Sequence, residues 1–343
     1  ISACLVGSEM CIRDRFAADS PTATELNRSG TQRLEKGEYA AALRLFQAAA
    51  KLRPGDPAIQ FNVGLTLFRM GRYREALEPL GNSLAYAASA HQARYLRGII
   101  FFQSGAFDSC ARELESLRTD PRYGEHVLYM LVESYRHSYD VKRSQEAFAE
   151  LNSRYPDSAF LHKLMGMAHE WESNDAKALE EFQEALRVNP RIPEVAFAVG
   201  YIYLRQERYD EARAWLAKEL VLDPCSPKAH HYLGEVDFAQ EKWDASASHY
   251  RKALECNPEY GDPYIGLGMV FERKGGMEQA VKMYREAVRL KPNDARAHYK
   301  LGLAFHRTGR VEEGAAEFAL AKKISREEDS KKKTGPPTAR PQQ

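Results

Sequence analysis

The stretch Tyr264-Ile265-Gly266-Leu267-Gly268-Met269-Val270-Phe271, followed by Ala280, Tyr284, Ala287 and Pro292, decides how this chain folds. Tyr264, Leu267 and Phe271 recur at helical spacing, which predicts a helix with one apolar face. Gly268 lies within that helix, where glycine costs about 1 kcal/mol against alanine, so its presence implies a packing gain. Ala280 and Tyr284 stand four apart and share one face of a second helix. Pro292 ends that helix, because proline lacks the N–H that the next turn needs.

The same pattern recurs every 34 residues on both sides. Glycines fall at Gly30, Gly64, Gly98, Gly166, Gly200, Gly234, Gly268 and Gly302, with Val132 at the one skipped step. Prolines keep the period at Pro54, Pro156, Pro190, Pro224, Pro258 and Pro292. A small-residue series runs Ala42, Ala76, Cys110, Ser144, Ala178, Ala212, Ser246, Ala280 and Gly314. Four residues after each member comes a large apolar one: Phe46, Leu80, Leu114, Phe148, Phe182, Leu216, Tyr250, Tyr284 and Phe318. The register divides the chain into units 23–56, 57–90, 91–124, 125–158, 159–192, 193–226, 227–260, 261–294 and 295–326. The glycine is expected where the first helix of a unit meets the second, with the small residue facing it. Loop glycines Gly37, Gly71, Gly105, Gly275 and Gly309 are expected to cap the first helices. Units three and four depart from the pattern, with Arg122 in place of proline and Leu117 and Leu151 in place of a late alanine. No unit stands alone. Burying about five large side chains at roughly 1.5–3 kcal/mol each cannot offset about 1–2 kcal/mol per ordered residue, so stacking must supply the difference.

A 34-residue period with an L-G-x2-Y block, then A-x3-F, then P, resembles the tetratricopeptide repeat over Ala23 to Arg326. The resemblance implies an all-α fold, a right-handed α-solenoid of about nine helix-turn-helix units. It also implies a non-enzymatic interaction scaffold or adaptor that holds an extended peptide or a helix of a partner protein in a concave groove. In this family the groove is lined from the second, fifth, ninth, twelfth and thirteenth places of each unit. Those places here give Phe61, Phe68, Arg69, Tyr95, Phe102, Tyr129, Arg136, Lys163, Trp171, Phe197, Tyr201, Arg205, Phe238, Arg273, Tyr299 and Arg307 as the groove residues. Aromatic and arginine side chains are those that binding hot spots favour. The rival reading of the rings is that they fill the seam between adjacent first helices. Two subtypes of the family are absent. The dicarboxylate clamp would need lysine then asparagine at the fifth and ninth places of unit one, which hold Asn27 and Thr31. The asparagine ladder of O-linked N-acetylglucosamine transferases would occupy the sixth places, where only Asn62 matches.

The ends and composition set the remaining expectations. Glu9-Met10-Cys11-Ile12-Arg13-Asp14-Arg15 reads as an in-frame translation of a sequencing adapter. Residues 1–15 are therefore read as an artefact, 16–22 as a short leader, and 327–343 as a disordered charged, proline-rich tail. Unit one carries Thr24, Asn27, Arg28, Thr31 and Gln32 on its first helix, a polar face suited to an array end. Because the chain opens on Ile1, its natural start and any signal peptide fall outside it, which leaves cytoplasmic and periplasmic or secreted locations open. An alternative function follows: the array is a regulatory or substrate-recruiting arm of a larger enzyme. The formal charge of +1, without a basic stripe, argues against nucleic acid as a partner, and no apolar run reaches membrane length. Self-association stays possible. His162, His230 and His298 share the fourth place of their units, which explains them without metal ligation. Cys110, Cys225 and Cys256 are read as packing residues, not as a disulfide framework. No phosphate loop, nucleophile elbow or metal motif is found, so no cofactor is expected.

Overall fold

The computed structural model describes residues 21–85 and 87–334, so the stretches read as adapter, most of the leader and the end of the tail lie outside the described residues. Among the described residues there are no strands. The helices pair as hairpins in chain order: α1 Ala23–Glu35 with α2 Tyr39–Leu52, α3 Pro57–Arg69 with α4 Tyr73–Asn82, α5 Ala87–Gln103 with α6 Phe107–Leu114, and α7 Gly124–His137 with α8 Val141–Arg154. The series continues as α9 Ala159–Trp171 with α10 Asp175–Val188, α11 Val195–Arg205 with α12 Tyr209–Leu222, α13 Pro227–Ala239 with α14 Trp243–Cys256, α15 Gly261–Arg273 with α16 Met277–Leu290, and α17 Ala295–Arg307 with α18 Val311–Thr334. The fold is an all-α solenoid of paired helices. The chain divides into two compact halves, up to Leu161 and from His162.

Starts of the helices follow local chemistry. Thr22 accepts the Glu25 N–H while Glu25 reaches back to the Thr22 N–H, which fixes the start of α1 at Ala23. Asp56, Ser226 and Asp294 cap α3, α13 and α17 through their side chains. The start of α11 is built differently. Glu194 stands at φ 66° with no side-chain cap of its own. Glu219 on α12 reaches back instead, accepting the Glu194 N–H at 3.3 Å and the Phe197 N–H at 3.3 Å. Burial holds the Glu219 carboxyl above the usual carboxylate range, against the pull of those two donors.

The packing explains the recurring glycines. A β-carbon on Gly268 would lie 2.3 Å from Tyr284 Cε1, and the equivalent atom on Gly234 would lie 2.6 Å from Tyr250 Cε1. At Gly30, Gly64, Gly98, Gly166, Gly200 and Gly302 it would likewise strike the large residue sixteen positions on. That large side chain covers the glycine. The small residue twelve positions on meets the backbone beside it, as where Ser246 Oγ donates to Gly234 O at 2.8 Å. Ala42, Ala76, Ala178, Ala212 and Ala280 are fully buried. The loop glycines Gly37, Gly71, Gly105, Gly275 and Gly309 all have φ near +75°, and Tyr139, Ser173, Glu207 and Glu241 adopt φ 59° at the same place in their units. The left-handed turn belongs to the repeat geometry, whichever residue occupies it.

Two expectations need correction, and one irregularity was not foreseen. The irregularity lies in the second helices of units two and three. Pro79 lies inside α4, and 3-10 turns at Ser83–Ala85 and Glu115–Leu117 follow α4 and α6. Arg97 donates to Leu77 O at 3.0 Å and to Glu113 at 2.9 Å, in space that Gly81 leaves open. Of the corrections, the first is that α18 continues helically through Thr334, past the tail boundary drawn at 327. Oppositely charged residues four apart, such as Lys323 and Glu327 at 3.9 Å, support the extension. Second, Cys225 and Cys256 form a disulfide, with Cα atoms 5.4 Å apart. It joins the turn before α13 to the end of α14. Cys110 does behave as a packing residue, its thiol pushed up to about 11 by burial.

Candidate functional site

In the half ending at Leu161, the predicted rings pack chiefly against one another. Tyr95 on α5 stacks on Tyr123 at 4.2 Å, and its hydroxyl lies 2.7 Å from His126 Nδ1 on α7. Phe160 stacks on both His126 and Tyr129, at 4.8 and 4.9 Å. Phe102 leans on Tyr129 and on Phe107. Phe61 and Phe68 are half-buried against the core between α3 and α5. Arg136 is held by Glu133 on its own helix at 2.7 and 3.0 Å, while Arg69 is exposed. Tyr129 is buried. Here the rings behave as seam filler, so the groove reading loses its main support on this side of the chain.

The half from His162 differs. Phe197 and Tyr201 on α11 pack on Tyr232 of α13 at 5.4 and 5.0 Å. Arg205 lies over the Tyr201 ring and pairs with Asp175 at 2.5 Å. Phe238 meets Trp243 edge-on at 5.0 Å, and Arg273 lies over that indole. Trp171 on α9 and Tyr299 on α17 keep 53% and 51% of their surface in solvent, exposure that a packing role does not require. Arg307 is exposed and lies 3.6 Å from Glu272.

Lys163 is a correction. Its ammonium is buried, donating to Pro193 O and Glu194 Oε2 at 3.1 Å each, and so it steadies the turn before α11. The left-handed Glu194 brings those acceptors to it, which no feature of the repeat foretold.

First helices α13, α15 and α17 together form an open pocket of about 280 Å³ lined by Phe238, Met269, Glu272, Arg273, Lys300 and Arg307. Of the residues expected from the repeat places, Phe238, Arg273 and Arg307 line this pocket, and Lys300, from a sixth place, lines it without having been expected. Another sixth place also reaches a neighbouring unit, where Asn62 donates to Asn27 at 2.9 Å.

The fourth-place histidines are structural. His162 and His298 sit 2.7 and 2.5 Å from Glu181 and Glu317. His230 meets His249 instead, their Nδ1 atoms 3.3 Å apart. Among the described residues no group of three or more His, Cys, Asp or Glu is placed to hold a metal ion, and no helix is long and apolar enough to cross a membrane.

Comparison with known proteins gives the following. Family models described as tetratricopeptide repeat match residues 28–80, 64–117, 126–158, 173–230 and 227–260, and one described as TPR repeat matches 273–309. The chain is similar to "Cellulose synthase operon protein C" of Escherichia coli strain K12, 29% identical over 194 residues, which is 56% of this chain and 15% of that protein. A "Putative cellulose synthase operon protein C" of Escherichia coli O157:H7 is 29% identical over 176 residues, 50% of this chain and 14% of that protein. The chain thus spans about a seventh of the length of the curated relatives it matches. Among solved structures, the APC/C hetero-tetramer Cut9-Hcn1 aligns with a TM-score of 0.63 at 14% identity, covering 83% of this chain and 57% of that one. That likeness concerns the fold alone.

Proposed function

This chain belongs to the tetratricopeptide-repeat family, and from that premise we propose that it holds an extended segment of a partner protein along the first helices of its second half. Repeats of this kind are protein-interaction scaffolds and are generally not catalytic. The observation that supports the finer reading is the solvent exposure of Trp171 and Tyr299 on first helices, near-half of each ring being covered and the rest open. Large rings of low conformational entropy are what interface anchors are made of. The cations Arg205, Arg273 and Arg307 on first helices of the same half would orient the bound segment.

A second reading is favoured by the length of the curated relatives. Both are named as cellulose synthase operon proteins and are far longer than the matched segment, so the array would serve as the partner-holding arm of a longer protein working beside such a synthase. One experiment addresses both. A cross-linked pull-down from the source cells, with the chain as bait, should recover a discrete partner, and Trp171→Ala with Tyr299→Ala should reduce that recovery about tenfold without loss of helicity. Equal recovery by the double variant would remove this face from consideration. Recovery of synthase subunits would favour the second reading.

A further inference from the structure

The pocket between α13, α15 and α17 has an asymmetric charge. Of its six lining side chains, Arg273, Lys300 and Arg307 are cationic and Glu272 is anionic. Glu272 is balanced in charge by Arg307, whose Nη1 lies 3.6 Å from its Oε1, although that buried oxygen accepts no hydrogen bond among the described residues. Arg273 rests over the Trp243 ring, and Lys300 enters no salt bridge among the described residues. Phe238 and Met269 supply a half-buried apolar wall. Cationic donors beside an apolar wall fit an acid next to an apolar side chain. The carboxylate would take charge-assisted hydrogen bonds from Lys300 and the guanidinium groups, and its neighbour would cover Phe238 and Met269.

We propose that this pocket seats an aspartate or glutamate, followed by an apolar residue, from an extended segment of the partner protein. The assignment rests on the scaffold reading above and names the chemistry of the segment. A phosphate group fits less well, because its second negative charge would face Glu272, and like charges across an interface are unfavourable. The opening is also small, sized for one or two side chains.

The test uses the full chain and four fluorescein-labelled octapeptides with a common leucine-phenylalanine core. Their flanks carry aspartate and glutamate, serine and glutamine, lysine and arginine, or phosphoserine. Fluorescence anisotropy should show the acidic peptide binding about tenfold tighter than the neutral one, as charge-assisted hydrogen bonds of this kind allow. Added salt should erode that preference. Lys300→Glu combined with Arg307→Glu should abolish it, and the milder Lys300→Gln, checked by circular dichroism, guards against a folding defect. Binding that ignores flank charge, or survives the double variant, overturns the pocket assignment while leaving the scaffold reading in place. Preference for phosphoserine overturns the choice of carboxylate. If none of the peptides binds, the pocket assignment falls, and the pull-down described above decides the scaffold reading by itself.

Discussion

A glycine-to-alanine change inside an exposed helix ordinarily stabilises it by about 1 kcal/mol. At Gly268 the sign should reverse. The new β-carbon would lie 2.3 Å from Tyr284 Cε1 and 2.7 Å from Cδ1 and Cζ, on a ring that is fully buried. Overpacking of this kind costs about 1–3 kcal/mol, so Gly268→Ala should lower stability by that order in urea denaturation. An increase would mean that the ring moves aside easily. This register of glycine and large side chain was legible because eight units repeat it at a fixed offset, Val132 replacing the glycine in the other. What could not be read was any contact set between units at another offset. Cys225 and Cys256 are 31 apart, so they fall in different series and look unrelated by period. The same spacing separates Tyr95 from His126 and Lys163 from Glu194, which shows it to be a recurring distance between neighbouring units.

Two neighbouring elements, α13 and α14, concentrate three histidines whose protonation opposes folding. Burial pushes the imidazoles of His230, His231 and His249 below their ordinary value. His231 is packed among Tyr232, Tyr250 and Tyr260. Glu235 and Asp262 favour its charged form, but less than burial opposes it, and Arg296 and Lys291 add to the opposition. Well above pH 7 the rings are uncharged both folded and unfolded and contribute nothing. As pH falls through the unfolded value near 6.5, the unfolded chain binds protons first, so stability declines and levels off only below the depressed folded value. The melting temperature should therefore drop between about pH 7 and 5, and His231→Phe, which keeps a ring in the tyrosine nest, should flatten that drop. An identical pH profile for this variant would show that His231 titrates normally. At the level of elements, the helix pairs and their spans were readable from the period. The open face was less so, because whether a ring lies in a groove or a seam depends on how closely successive first helices approach. Tyr95, Tyr129 and Phe160 are consumed by that approach, while Trp171 and Tyr299 escape it.

In a repeat array each unit contacts chiefly its neighbours, so stability is a sum of local terms and unfolding need not be all-or-none. A cross-link in such an array acts where it is placed. The Cys225–Cys256 bridge closes a loop with a sequence separation of 31, joining the turn before α13 to the end of α14. Constraint of the unfolded chain over a loop of that size is worth about 2–4 kcal/mol, and in a compact two-state domain the whole molecule would feel it. Here the benefit should be confined to the repeats that touch α13 and α14. Cys225 is exposed, so a reducing agent reaches the bond without prior unfolding. Reduction should therefore speed hydrogen exchange of the buried amides of α13 and α14, and to a lesser degree those of α12 and α15, while α1 to α4 exchange as before. Cys225→Ser should reproduce the same map without reductant. If protection is lost evenly along the chain, the units are coupled far more strongly than nearest-neighbour stacking provides. If protection does not change at all, the loop was already ordered by Ser226 at the start of α13 and by the packing of Tyr260 on His231, and the covalent link only records that proximity.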